Sequence, residues 1–111
     1  MLTIELAKEF SSTPGGRFKS MGPNSGEEFR EILRKALARR PPQDVVVILD
    51  GAEGYGSSFL EEAFGGLIRK GLVDAADAFG RLKIVAKTKP YQTYALEAIT
   101  YMEDAARNLS K

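Results

Sequence analysis

The sequence contains neither cysteine nor histidine. The first absence excludes disulfides, thiol nucleophiles and thiolate metal sites. The second removes Ser-His-Asp and Cys-His catalysis, histidine phosphorelay and the common zinc sites. An excess of charge is lacking too. Sixteen Lys and Arg face fifteen Asp and Glu, a formal net charge of +1, which argues against nucleic acid or an acidic membrane as the main partner. No stretch approaches the ~20 apolar residues of a transmembrane helix. Met1-Leu2-Thr3-Ile4-Glu5 has no basic start and no long apolar run, so it does not read as a signal peptide. The expectation is a cytoplasmic protein with no bound metal or cofactor. Its 111 residues, 43% of them hydrophobic, read as a single domain over 1–111. A chain of that length buries roughly two-thirds of the surface it exposes when unfolded.

What is present centres on the stretch from Val45 to Gly71. Val45-Val46-Val47-Ile48-Leu49 is a short β-branched apolar run, the pattern of a strand buried on both faces. Asp50-Gly51 ends it, and Ala52-Glu53-Gly54-Tyr55-Gly56 carries the chain round a loop. A helix follows over Phe59 to Lys70 and stops at Gly71, with Arg69 and Lys70 complementing its dipole. Ser58 stands three residues before Glu61, the capping-box spacing, so Ser58 is the better N-cap and Ser57 the alternative. Gly65 and Gly66 lie inside the helix at a cost of about 1 kcal/mol each relative to alanine. Close approach to another backbone is the simplest compensation. Open α/β sheets present ligands beyond the carboxyl ends of their strands, which points to this same turn.

The flanking elements complete the pattern. Leu2-Thr3-Ile4-Glu5-Leu6 alternates as a half-buried strand. After the turn signal Pro14-Gly15-Gly16, Arg17-Phe18-Lys19 could return as a second strand antiparallel to the first. Ser25 and Glu28 form a capping box for a helix whose apolar stripe is Phe29, Ile32, Leu33, Ala36 and Leu37, closed by Arg39, Arg40 and Pro41-Pro42. Leu72 to Gly80 reads equally as a short helix or a packed loop. Leu82-Lys83-Ile84-Val85-Ala86 is a further strand, and Pro90 opens a last helix with the stripe Tyr91, Ala95, Ala98, Ile99, Met102, Ala106 and Leu109. The order implies an α/β domain, a small mixed β-sheet packed with about three helices.

Candidate functional residues gather near the turn. Ser57 and Ser58 could accept phosphate or bind an anion at the helix N-terminus, although capping explains them as well. Arg17 and Arg30 are expected to pair with Asp50, Glu61 or Glu62, as an ion pair orienting the loops or as a ligand clamp. Those three carboxylates are also the only candidates for acid–base work or a hard metal. Their spacing matches no known catalytic geometry, and the chain does not read as an enzyme. Tyr91, Tyr94 and Tyr101 read as core edge or subunit interface rather than base-stacking platforms.

Four runs carry a family signature: Gly16-Arg17-Phe18, Ser25-Gly26-Glu27-Glu28-Phe29-Arg30, Val47-Ile48-Leu49-Asp50-Gly51, and Gly54-Tyr55-Gly56-Ser57-Ser58-Phe59-Leu60-Glu61-Glu62-Ala63-Phe64-Gly65-Gly66. Over roughly residues 2 to 105 the chain resembles the STAS-like domain of unknown function, DUF4325. The resemblance implies a fold related to bacterial anti-anti-sigma factors and the sulfate-transporter C-terminal domain. In that wider superfamily a serine at the turn from strand to helix is phosphorylated by an ATP-binding anti-sigma kinase. Those proteins carry Asp-Ser-(Ser/Thr)-Gly there. Here Gly56 stands for the aspartate and Phe59 for the glycine, and Ser58 falls on the acceptor position. The resulting expectation is a regulatory protein-interaction module whose partner is an ATP-binding regulator of the anti-sigma or histidine-kinase type. Its recognition surface would comprise Arg17, Arg30, Asp50, Tyr55, Gly56, Phe59, Glu61 and Glu62 with the two serines. The alternative is a domain sensing a small ligand, nucleotide or phosphate at the Gly51–Ser58 loop.

Overall fold

A computed structural model describes residues 1–109. In chain order it contains β1 (Leu2–Glu5), the single turn α1 (Leu6–Glu9), a 3-10 turn (Lys19–Met21), α2 (Gly26–Leu37) and β2 (Val45–Ile48). Then come α3 (Ser57–Leu60), a π-helical segment (Glu61–Gly65), α4 (Gly66–Arg69), α5 (Ala75–Arg81), β3 (Leu82–Val85) and α6 (Lys89–Leu109). The α3, π and α4 segments follow without a break and form one central helix over 57–69. The strands lie in the order β1-β2-β3, and both pairings are parallel. The α/β class is as the sequence implies, but the sheet is parallel throughout rather than mixed. Arg17-Phe18-Lys19 does not pair with β1. Its backbone is engaged elsewhere: the carbonyls of Gly16 and Arg17 accept from the N–H groups of Gly26 and Glu27, at 2.9 and 3.0 Å.

Alternation along the strands shows where the core lies. Ile4, Val45, Val47, Leu82 and Ile84 are buried, while Thr3, Lys83 and Val85 on the opposite face are exposed. Val46 and Ile48 are only half-buried, so β2 is not covered on both faces as its composition implies. The buried face joins a core built largely from the central helix. Phe59, Leu60, Ala63, Phe64, Leu67 and Ile68 are all fully buried. The central helix packs against both α2 and α6.

Local rules explain the helix ends. Ser25 caps α2 in a complete capping box: its Oγ accepts from Glu28 N–H, and the Glu28 carboxylate accepts from Ser25 N–H. With the two loop carbonyls, this satisfies the N-terminal N–H groups of α2. The helix ends at Leu37, ahead of the Pro41-Pro42 stop, where the Arg81 guanidinium donates to the carbonyls of Leu37 and Gln43. At the end of the central helix Leu72 N–H bonds Leu67 C=O and Gly71 N–H bonds Ile68 C=O, with Gly71 at φ +66°. That is a Schellman closure. Asp74 caps α5 through Asp77 N–H, so the Leu72–Gly80 stretch resolves as a short helix.

Two glycines set how closely the helices approach. A Cβ at Gly26 would lie 2.7 Å from the carbonyl oxygen of Phe59, and one at Gly65 would lie 3.2 Å from that of Tyr101. Gly65 thus has the packing role expected of it. Gly66 faces a side chain instead, the Arg30 Cδ at 3.2 Å. We expect Gly26→Ala to destabilise the domain by about 1–3 kcal/mol, because backbone must move. Gly80→Ala, on exposed α5 with nothing near its added Cβ, should stabilise by up to about 1 kcal/mol. Urea unfolding compares them, and a Gly26→Ala protein as stable as wild type contradicts the close crossing.

Candidate functional site

The turn after β2 is fastened from several directions. Asp50 reaches across to the start of α6, accepting from Lys87 N–H at 2.8 Å, Thr88 N–H at 3.0 Å and Thr88 Oγ1 at 2.9 Å. Burial pushes its carboxyl up, but those hydrogen bonds outweigh it and hold the group below its ordinary value. The buried Tyr55 hydroxyl donates to Leu49 C=O at 2.7 Å, and Tyr91 donates to Ala52 C=O. Glu53 N–H bonds Ser12 C=O at 2.8 Å. The ring of Tyr94 lies edge-on to Tyr55 at 5.2 Å, which places the first two tyrosines of α6 at the core edge beneath the loop.

The loop ends in an exposed corner. Gly56, with φ −71° and ψ 149°, occupies the N-cap of the central helix, and no side chain caps it. Ser57 and Ser58 are the first and second helical residues, and both are exposed. Ser58 is therefore not the N-cap. The helix starts two residues earlier than the Ser58–Glu61 spacing implies, because Leu60 N–H already bonds Gly56 C=O at 3.2 Å.

Glu61, released from capping, joins an ion cluster behind the corner. Arg17 pairs with Glu61 and, at 3.2 Å, with Glu62. Arg69 reaches Glu61 at 3.2 Å and Glu62 at 3.1 Å. Arg30 pairs with the other Glu62 oxygen in the interior. The Glu62 side chain is 1% exposed and that of Arg30 is 9% exposed, so this pair belongs to the core. The π segment brings consecutive glutamates to the same cluster: Gly66 N–H bonds Glu61 C=O across five residues. Burial raises the Glu61 carboxyl, and hydrogen bonds from Arg17 and Arg69 more than reverse the effect, leaving it lowered. The Glu61 hydrogen bond raises Arg17 against the cost of burial.

The sequence candidates thus separate into groups. Gly56, Ser57 and Ser58 form the exposed corner, with Arg17 and Glu61 part-buried in the cluster. Tyr55 and Phe59 are core residues rather than recognition surface, because the loop folds their rings inward onto each other at 6.0 Å. Arg30 and Glu62 are likewise interior. Asp50 serves the start of α6 and pairs with neither Arg17 nor Arg30. The sequence pattern offers Arg69 only a role at the helix end. Its eight-residue offset from Glu61 crosses the π segment, which ordinary α-helical spacing does not register.

A parallel three-stranded sheet packed with helices makes this an α/β domain, with a serine-bearing turn leading from β2 into the central helix. A family model for the STAS-like domain of unknown function (DUF4325) matches residues 25–92, and the chain belongs to that family. The matched span includes the turn and both glutamates but not Gly16-Arg17-Phe18. No curated protein and no solved structure matches the chain.

Two expectations follow from this geometry. Ser25→Ala should cost about 1 kcal/mol, the ordinary value of a lost N-cap, while Ser58→Ala should stay within ~0.5 kcal/mol, as surface changes do. Equal losses in urea unfolding would restore Ser58 as a cap. Separately, Glu62→Leu should destabilise by about 3–5 kcal/mol by stranding the Arg30 charge, and adding Arg30→Met should recover most of that. A double variant no better than the single one would show that the buried pair is not the source of the loss.

Proposed function

We propose that this domain is a regulatory protein-interaction module that presents the corner Gly56-Ser57-Ser58 to an ATP-binding regulatory protein in the cytoplasm, with phosphorylation of Ser58 switching the association. The observation that supports it is the exposure of both serines on an uncapped helix start whose surroundings are otherwise fastened. Since Ser58 caps nothing, a phosphate there removes no structural hydrogen bond. The helix dipole favours the added charge by about 0.3–1 kcal/mol. Repulsion from Glu61 and Glu62 is offset by Arg17, Arg30 and Arg69, three cations against two anions. The change would be read at the surface rather than in the fold. We read the module as binding rather than catalytic, because Glu61 and Glu62 are committed to arginines and Asp50 to the start of α6.

The uncapped N–H groups also favour a second reading, a sensor for phosphate or a phosphorylated small molecule at the same corner. Affinity capture from the native host followed by phosphosite mapping tests the first. Ser58→Glu should keep the fold, measured by circular dichroism, and reduce capture of the partner at least several-fold, whereas Ser57→Glu should do so less. Undiminished capture by a folded Ser58→Glu protein contradicts the switch. Chemical-shift changes confined to residues 56–58 on adding inorganic phosphate would favour the sensor.

A further inference from the structure

We infer that the open side of β1 and α2 is the interface through which two copies of this chain pair about a two-fold axis. This surface is separate from the Gly56–Ser58 corner and does not rest on the function proposed for it. β1 is an outer strand, paired only with β2 among the described residues. Between it and α2 runs an apolar groove of about 290 Å³ lined by Leu2, Ile4, Phe10, Phe29, Ile32 and Ala36. Ile32 was expected in the core. Instead it is 38% exposed, and Arg30 takes an interior position in α2. Its neighbours along the same side of the helix are Glu28 and Lys35, at spacings of four and three residues that keep them on one stripe, and Arg39 follows just past the helix end.

The stripe is polar in the electrical sense. Glu28 and Glu31 lie toward the N-terminal end of α2, lining the adjoining cleft with Glu9 and Lys19, whereas Lys35 lies toward the C-terminal end and Arg39 just beyond it. A two-fold contact places residue i against j and j against i. With two α2 helices antiparallel and crossing at Ile32, each Ile32 meets its counterpart. Glu28 of each copy then faces Lys35 of the other. The acidic end thus covers the basic end twice, and the apolar middle covers itself. A parallel arrangement would set like charges together, at a cost that complementary interfaces avoid. The stripe is therefore self-complementary, which identifies a second copy as the occupant that fits.

Sedimentation equilibrium of the full chain over the micromolar range tests this. Wild type should show a concentration-dependent monomer–dimer equilibrium. Ile32→Glu, on an exposed position, should remain folded by circular dichroism and sediment as a monomer. Lys35→Glu should weaken the dimer at least about tenfold by opposing Glu28 with a like charge, and the double Glu28→Gln, Lys35→Glu variant, whose glutamine can still accept from Ser25 N–H, should regain part of the loss. A wild-type chain monomeric at every concentration overturns the proposal. So does a dimer that Ile32→Glu leaves intact, since that would place the interface elsewhere.

Discussion

The buried carboxylate of Glu62 is the constraint around which this small domain is arranged. A charge that is 1% exposed is tolerated only when paired and hydrogen-bonded. Glu62 meets that requirement with three arginines from different parts of the chain: Arg17 from the glycine-rich loop, Arg30 from α2 and Arg69 from the end of the central helix. Several structural details follow. Gly66 leaves room for the Arg30 side chain, Gly26 lets α2 start against the central helix, and the π segment sets Glu61 beside Glu62. Buried ion pairs add little net stability compared with apolar packing. What this cluster supplies is position, because a loop and two helix segments must meet at one point.

That joint determines what reaches the surface. Loop 15–18 is held by Arg17 on one side and by its carbonyl bonds to Gly26 and Glu27 on the other. The turn after β2 is held by Tyr55, Tyr91 and Glu53. Between these fastened segments the start of the central helix projects Ser57 and Ser58 outward. The proposed recognition role would draw on this rigidity, since a pre-ordered corner loses little ordering entropy on binding.

Much of the architecture was legible from local signals. The Ser25–Glu28 capping box and the Gly71 stop each depend on a few neighbouring residues, and each is present. The readings that needed tertiary information fared differently. The Ser58–Glu61 spacing mimics a capping box, but Arg17 and Arg69, distant in sequence, take Glu61. Ile32 and Arg30 exchange their expected places because a buried partner at Glu62 outweighs the hydrophobic pattern of α2. The pairing of Arg17 and Arg30 with the glutamates was anticipated, whereas the commitment of Asp50 to α6 depends on a contact across 37 residues. Tyr55 and Phe59 look like loop and helix-start surface until the aromatic packing beneath the turn is known.

Glu62 holds the Arg17 loop, α2 and the central helix together as one unit beneath the exposed Gly56–Ser58 corner. Native-state amide hydrogen exchange in a Glu62→Gln protein tests it most directly, because the isosteric change removes charge without opening a cavity. Exchange should be faster at Gly26 and Glu27, whose N–H groups bond the Arg17 loop, and at Leu60 beside the corner, with the β2 and β3 amides near wild type. Unchanged protection at Gly26, Glu27 and Leu60 would contradict it.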